Sequence, residues 1–305
     1  MKSRGSNNMG EGLSRFKPIE LADQDYLNGI FRERREQLSF YNFANLFMWT
    51  RRHKFMWAEF KGRLVIYADA DGASVVVPTE GLEGSELITL ANILRESGRG
   101  ADFWYVPNGT VEGNDEIARY FDIRQDEDNA DYIYTSQNLA ELSGRKLHNK
   151  KNLLQQFQRN NPDYECRPME PGDFQACIDH SEKWVEDKSA NIVAYAYETE
   201  AMLQGMEHFE ELGLGGLVLV VKGALSGFSI FNRLNADTAL IHFEKYDREI
   251  KGAGQAINWE TARHLQQEYT FLNREQDLGI PGLRQAKQSY MPERWLLTYL
   301  LHWKE

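Results

Sequence analysis

Hydrophobic and polar residues recur along the chain with periods that predict a succession of helices and short strands. Apolar residues at helical spacing predict a helix over residues 23–37 and a second, more buried helix over 41–49. Alternating apolar residues separated by turn pairs then predict a meander of three strands. These strands lie at 55–60, 64–68 and 74–78, and a helix at 83–97, a strand at 103–106, a short helix at 113–120 and a strand at 132–134 follow.

The second half of the chain repeats this order of elements. We predict helices at 173–185 and 198–212, strands at 216–221, 225–234 and 238–246, a helix from the glycines at 252–254 to 267, and a strand at 269–273. Each meander contains a Lys-Gly turn, Lys61-Gly62 in the first and Lys222-Gly223 in the second. We therefore predict two copies of one α/β unit, at 13–160 and 161–305.

Composition narrows the class of protein. The chain has 305 residues, of which 42% are hydrophobic and 27% charged, as expected of a folded protein with about two domains. Because the net charge is −11, the long-range electrostatic field of the protein repels phosphate. Any contact with nucleic acid or anionic lipid must therefore come from a local basic patch. We find no apolar run of about 18 residues and no signal peptide, and we expect a cytoplasmic protein.

Several common catalytic signatures are absent from the sequence. Cys166 and Cys177 match no zinc-ligand spacing, and we predict no metal site. The run Gly213-Leu-Gly-Gly216 follows a predicted helix and precedes a strand, which is the reverse of the order in a dinucleotide-binding loop. Hydride transfer, ATP hydrolysis and serine hydrolysis are therefore disfavoured.

A first candidate site lies at the end of the predicted strand 238–246. Strand alternation predicts that His242, Glu244 and Tyr246 share one face, opposite Ala239, Ile241 and Phe243. Glu244 or Asp247 could act there as a general base. The helix that follows begins at Lys251, Gly252, Ala253 and Gly254, and exposed N–H groups at a helix start bind phosphate well. The alternative is a solvated strand end with an ordinary glycine turn.

A second polar run follows the last predicted strand. Asn273, Arg274, Glu275 and Asp277 form a charged loop, which is either a substrate site for an amine or phosphate or a structural cluster of salt bridges. The next helix places Arg284 and Lys287 on one face, and Tyr290 ends this run. That face could hold a phosphate, and the alternative is a solvated surface.

These motifs resemble a known family. Glu249-Ile-Lys-Gly-Ala-Gly254 is similar to the acyl-CoA loop of GNAT acyltransferases, whose pattern is Gln/Arg-x-x-Gly-x-Gly/Ala, although Glu249 departs from its first position. His242 to Asp247, Ala256-Ile-Asn258 and Asn273 to Tyr290 resemble a bacterial family related to the C-terminal catalytic domain of phosphatidylglycerol lysyltransferase. The resemblance implies an α/β (α+β) fold of two tandem GNAT-like units, each a mixed, mostly antiparallel sheet flanked by helices. The candidate site would lie in the second unit, and the first would be structural or degenerate.

The one dense basic stretch is 144–159, which the resemblance places between the two units. Leu147, Leu154 and Phe157 lie on the apolar stripe of a predicted helix. The cations outside this stripe could contact the acceptor arm of a tRNA or an anionic lipid head group. They are Arg145, Lys146, Lys150 and Lys151. The alternative is an ordinary charged helix.

The residues and the resemblance together predict an acyl or aminoacyl transferase without a tightly bound cofactor. The donor would be aminoacyl-tRNA or acyl-CoA, and the acceptor an amine or hydroxyl, with a lipid head group as one candidate. The predicted catalytic residues are Glu244, Asp247 and His242. The predicted substrate contacts are Asn273, Arg274, Glu275, Asp277, Arg284, Lys287 and Tyr290. The alternative function is a GNAT-fold module that binds a phosphate-containing ligand without catalysis.

Overall fold

A computed structural model describes residues 12–32, 37–70, 73–78, 81–186 and 192–304 of the chain. The helices are, in chain order, α1 (Gln24–Arg32), α2 (Phe43–His53), α3 (Gly84–Glu96), α4 (Asn108–Val111), α5 (Asp115–Tyr120), α6 (Ser136–Glu141), α7 (His148–Asn160), α8 (Phe174–Glu186), α9 (Ile192–Glu207), α10 (Ala253–Leu265) and α11 (Pro281–Gln288). The strands are β1 (Lys17–Pro18), β2 (Met56–Phe60), β3 (Arg63–Ala70), β4 (Ala73–Pro78), β5 (Asp102–Pro107), β6 (Phe121–Thr135), β7 (Glu165–Pro168), β8 (Gly215–Val221), β9 (Ala224–Arg233), β10 (Thr238–Tyr246), β11 (Phe271–Asn273) and β12 (Arg294–Trp303).

The first compact unit comprises Met1–Asp25, Trp49–Ala130 and Leu297–Glu305. Strands β1 to β4 pair antiparallel in sequence order, β5 pairs parallel with β4, and the end of β12 pairs antiparallel with β5. Buried Phe60, Phe103 and Leu301 belong to its core, against which α3 packs its apolar face. The last strand of the chain is therefore part of the same core as the first strands.

The second compact unit comprises Tyr26–Met48 and Asp131–Leu296. Its strands run in the order β6, β11, β10, β9, β8, β7, and all neighbours are antiparallel except β10 and β11, which are parallel. Helix α10 contacts α6, α7 and the strands β8 to β10. Phe157, Ile257 and Leu272 are fully buried in this core. The unit thus places α10 directly after the strand that carries the predicted catalytic residues.

The two Lys-Gly turns have the same backbone conformation. The φ angles are +50° and +77° at Lys61 and Gly62, and +52° and +77° at Lys222 and Gly223. Positive φ at both central residues is the geometry that matches the twist of a two-residue hairpin. The predicted hairpins β2–β3 and β8–β9 are therefore confirmed, as is their common turn chemistry.

A β-bulge overturns one prediction about β10. Its pairing with β9 shifts register between Ile241 and Phe243, which makes His242 the extra residue. Ile241 and Tyr246, which strict alternation places on opposite faces, pack in the same core cluster. The prediction that His242, Glu244 and Tyr246 share a face opposite Ile241 is wrong, because the bulge interrupts the two-residue period.

Most predicted elements are confirmed, with shifted ends. Helix α9 begins six residues earlier than expected and β6 is far longer than the predicted strand at 132–134, while β12 was not predicted. Residues 33–36 of the first predicted helix, and residues 71–72 between the predicted strands at 64–68 and 74–78, lie outside the described residues. The compact units do not divide at residue 160, since residues 26–48 and 131–160 belong to the second unit. The extent of the two repeats stays a prediction.

Candidate functional site

The candidate site forms where two parallel strands part. Strand β10 pairs with β11 only from Thr238–Phe271 to Leu240–Asn273, after which β11 ends and β10 continues to Tyr246. The chain leaves β11 through Arg274 and through Glu275, whose φ of +54° is unusual for a residue with a side chain. We call the space between residues 241–246 and 274–277 the strand gap.

Two side-chain contacts connect the two sides of the strand gap. Arg274 Nη2 donates a hydrogen bond to Glu244 Oε1 at 2.7 Å, and His242 Nδ1 lies 3.2 Å from Glu275 Oε1. The second oxygen of Glu244 accepts a bond from Asn258 Nδ2 of α10 at 3.2 Å. Glu244 is therefore held from both sides in a defined position. These partners lie 14 and 30 residues away in the chain, so neither pairing follows from a local sequence pattern.

Arg274 lies among tyrosine rings. Its guanidinium carbon is 5.5 Å from the ring centre of Tyr134 and 5.2 Å from that of Tyr290, within the range of cation–π attraction. Burial alone would lower the pKa of Arg274, but Glu244 beside it raises the pKa above its ordinary value. Burial also raises the pKa of Tyr134 and Tyr290, so both phenols stay protonated and can donate hydrogen bonds. The result is a permanently charged group in a partly aromatic environment.

The basic helix contributes one cation to this site. Lys150 of α7 places its Nζ 4.3 Å from the ring centre of Tyr290. Burial and the positive charge of Arg274 lower the pKa of Lys150. Arg145, Lys146 and Lys151 are exposed instead. The structure thus separates Lys150 from the other three predicted contact residues, whose role toward tRNA or lipid stays a prediction.

Four predicted substrate residues bond mainly to the loop itself. The Lys287 Nζ donates to the carbonyl oxygens of residues 274, 275 and 276 at 2.5, 3.0 and 2.5 Å, and burial lowers its pKa to about 8. Buried Asp277 accepts two bonds from Arg284, at 2.8 and 3.0 Å, and one from Tyr132 at 2.5 Å. The amide of Asn273 donates to Gln37 O and to Asp131. These groups fix the backbone that carries Arg274 and Glu275.

Asp131 is a site residue that the sequence analysis missed. This fully buried carboxylate accepts hydrogen bonds from Ser39 N at 2.5 Å, from Asn273 Nδ2 at 2.9 Å, and from the amide of Gln276. Burial outweighs these bonds and raises the pKa of Asp131 to about 6. Nothing in the local sequence marks it, since its partners come from segments 92 to 145 residues away.

His242 faces two oxygen acceptors. Its Nε2 lies 3.1 Å from Asn232 Oδ1, which also accepts a bond from Asn42, the residue before α2, and its Nδ1 faces Glu275. The histidine therefore connects the bulge in β10 to the start of the polar loop. Its side chain is almost wholly buried, which fits a positioning role within the gap better than contact with solvent.

The glycine loop is packed against protein. A Cβ at Gly252, where φ is +85°, would lie 2.5 Å from Leu153 O of α7, and a Cβ at Gly254 would lie 2.7 Å from the Tyr246 ring. Ala253 is fully buried, and Lys251 is exposed. Asp247 accepts a bond from Glu249 N at 2.9 Å and so closes the turn before the loop. Close packing accounts for both glycines, and a role of this loop in binding phosphate stays a prediction.

Among the described residues, no cluster of histidine, cysteine and acidic side chains is arranged to hold a metal ion. No helix in the described part of the chain is both long and apolar enough to cross a membrane.

Comparison with known proteins gives a consistent result. Residues 31–302 match the family described as phosphatidylglycerol lysyltransferase, C-terminal. No curated protein sequence matches the chain. A conserved protein of unknown function from Bacteroides thetaiotaomicron VPI-5482 is 30% identical, with a TM-score of 0.86 over 95% of this chain and 99% of that one.

More distant structures show the fold. The C-terminal domain of a candidate lysylphosphatidylglycerol synthetase from Agrobacterium fabrum has a TM-score of 0.63 at 14% identity, covering 92% of both chains. A tandem GNAT protein from the clavulanic acid biosynthesis pathway has a TM-score of 0.50 at 12% identity, covering 94% of this chain and 98% of that one. The predicted α/β fold with two tandem GNAT-like units is confirmed.

Proposed function

The chain belongs to the family of the phosphatidylglycerol lysyltransferase C-terminal domain, and from that membership we propose that it is an aminoacyltransferase that works at the strand gap. The observation that supports the proposal best is the position of Glu244, held by Arg274 and Asn258 beside the point where β10 and β11 part. The donor in this proposal is an aminoacyl ester of tRNA, and the acceptor is a hydroxyl or amine, such as that of a lipid head group.

The proposed step is an acyl transfer with balanced proton movement. The oxygen or nitrogen of the acceptor attacks the ester carbonyl carbon, a C–O or C–N bond forms, and the ester bond to the ribose oxygen breaks. Glu244 takes the proton from the acceptor and returns it to the leaving ribose oxygen. Each Glu244 oxygen accepts one protein hydrogen bond, and a carboxylate offers about four lone-pair positions, so acceptor positions remain for that proton.

Three details favour tRNA over acyl-CoA as the donor. Both glycines of the acyl-CoA-like loop are accounted for by packing against α7 and Tyr246. The first position of that motif carries Glu249, whose carboxylate would repel a pyrophosphate, and the backbone N–H of Glu249 already bonds to Asp247. The exposed cations Arg145, Lys146 and Lys151 offer a local basic surface on an otherwise acidic chain.

The test measures transfer from charged tRNA to anionic lipid vesicles, with free amines as a second acceptor. We expect Glu244→Gln to reduce transfer by about 10²- to 10⁴-fold, because it keeps the shape of the side chain but removes the base. The matched control is Glu249→Gln, an identical change on the exposed loop, which should leave transfer unchanged. Equal transfer by Glu244→Gln and the native chain would remove Glu244 from the mechanism.

The Glu249→Gln variant also decides between the two donors. If acyl-CoA is the donor, Glu249→Gln restores the first position of the motif and should tighten CoA binding. Saturable CoA binding that tightens in this variant would refute tRNA as the donor. Binding of charged tRNA by the native chain without transfer to any acceptor would instead support a non-catalytic binding module.

A further inference from the structure

Lys150 and Arg274 bring two positive charges to one tyrosine ring. Lys150 Nζ lies 4.3 Å and the Arg274 guanidinium carbon 5.2 Å from the ring centre of Tyr290. The two cations reach this place from α7 and from the loop after β11. Burial, and after it the repulsion by Arg274, lowers the pKa of Lys150. Like charges held this close are costly unless an anion lies near them.

The protein supplies only part of that compensation. Glu244 pairs with Arg274 Nη2, whereas among the described residues no carboxylate forms an ion pair with Lys150. The other guanidinium nitrogen of Arg274, Nη1, is buried and has no hydrogen-bond partner. A buried N–H group without a partner is rare in proteins, and at a binding site it marks a place for a ligand atom. Lys150, Arg274 and Glu244 together leave a net charge of +1.

We propose that Lys150 and Arg274 form a binding subsite for a singly charged phosphodiester, whose oxygens accept from Lys150 Nζ and Arg274 Nη1. A phosphodiester carries one negative charge and so neutralises the net +1, whereas a pyrophosphate would bring excess charge. This inference rests on the proposed function, because a tRNA donor and a phospholipid acceptor both carry phosphodiesters. It assigns Lys150 to the strand gap and not to the exposed basic surface of Arg145, Lys146 and Lys151.

The test measures binding of dimethyl phosphate to the full chain by ³¹P NMR titration at constant ionic strength. We expect Lys150→Met to weaken binding by about tenfold or more, because a charge-assisted bond is lost. The matched control is Lys222→Met, the same change at an exposed lysine in the β8–β9 turn, which should not alter the affinity for dimethyl phosphate. Equal affinities of both variants and the native chain would overturn the proposal, and so would acetate binding as tightly as dimethyl phosphate.

A further variant separates this proposal from the proposed function. Glu244→Gln raises the net charge of the subsite from +1 to +2, so it should bind dimethyl phosphate more tightly while losing transfer. Transfer unaffected by Glu244→Gln, with the Lys150 result intact, would refute the mechanism and leave the subsite standing. Weaker dimethyl phosphate binding in a folded Glu244→Gln variant would overturn the charge argument.

Competition identifies the natural source of the phosphodiester. Displacement of dimethyl phosphate by phosphatidylglycerol vesicles, but not by phosphatidylcholine vesicles, would assign the subsite to an anionic lipid head group. Displacement by charged tRNA would assign it to the donor. Displacement by neither would show that the subsite serves no substrate of the proposed reaction and would overturn the assignment.

Discussion

Replacing Gly252 by alanine tests whether the glycine loop exists for packing. Two costs are expected in the folded state. A residue with a side chain pays about 1–2 kcal/mol to adopt the left-handed conformation at φ +85°. The new Cβ would also lie 2.5 Å from Leu153 O and 2.9 Å from Phe157 Cβ, so α7 must move, and such overpacking costs about 1–3 kcal/mol.

Gly223 provides a control in which only the first cost applies. Its φ is +77°, close to that of Gly252, but a Cβ there would meet no atom within 4 Å. We therefore expect Gly252→Ala to lower the free energy of unfolding by about 2–5 kcal/mol and Gly223→Ala by about 1–2 kcal/mol. Gly254 has no positive φ, so Gly254→Ala carries only the second cost, the contact with the Tyr246 ring, and should lower the free energy of unfolding by about 1–3 kcal/mol.

The assay is urea unfolding followed by circular dichroism, with hydrogen exchange over α7 and α10 to locate the change. A larger loss of stability for Gly252→Ala than for Gly223→Ala, with faster exchange in α7, is the expected result. Equal losses would refute the packing explanation. The glycine at 252 would then be free for another use, and a phosphate-binding role of the loop would regain its support.

Two further predictions concern the buried polar network around the gap. Lys287→Met should leave three partly buried carbonyl oxygens without their donor and lower the free energy of unfolding by at least about 2 kcal/mol, measured by urea unfolding. The control Lys222→Met, in an exposed turn, should change it by less than about 0.5 kcal/mol. The pKa of Asp131 is raised from 3.8 to about 6, so between these pH values the folded protein binds a proton that the unfolded chain has released. The free energy of unfolding should therefore fall by about 3 kcal/mol as the pH rises from below 3.8 to above 6. Asp131→Asn should remove that slope from the pH dependence of unfolding, and an unchanged slope would show that Asp131 is ionised throughout.

Local patterns were sufficient to predict most of the elements. Helical spacing and turn pairs indicated the helices and hairpins of both halves, and Lys61-Gly62 and Lys222-Gly223 indicated their similarity. Strand β12 was missed although its ten residues are mostly apolar and aromatic, because such a short unbroken run fits a buried strand or a buried helix equally well.

The site could be predicted only as a set of residues. Glu244 and Arg274 were both identified, but their contact depends on how far β10 and β11 pair, and no local pattern encodes that length. The bulge at His242 changes the face of the sheet on which the following side chains lie, and no glycine in the strand marks its position. The direction of Lys150 likewise depends on where Tyr290 lies, and that position is fixed by tertiary packing.

The second unit is built from two separate stretches of the chain, and this arrangement affects when it can fold during synthesis. Its core polar network joins Gln37 to Asn273, which follows 236 residues later, and Ser39 to Asp131. A ribosome adding ~5–20 residues per second needs about 10–50 s to produce that later partner. Gln37 lacks its contact with Asn273 during this time, so the second unit can complete its fold only when nearly the whole chain has emerged. If synthesis is arrested before residue 273, the segment around Gln37 should therefore remain accessible to proteases and chaperones.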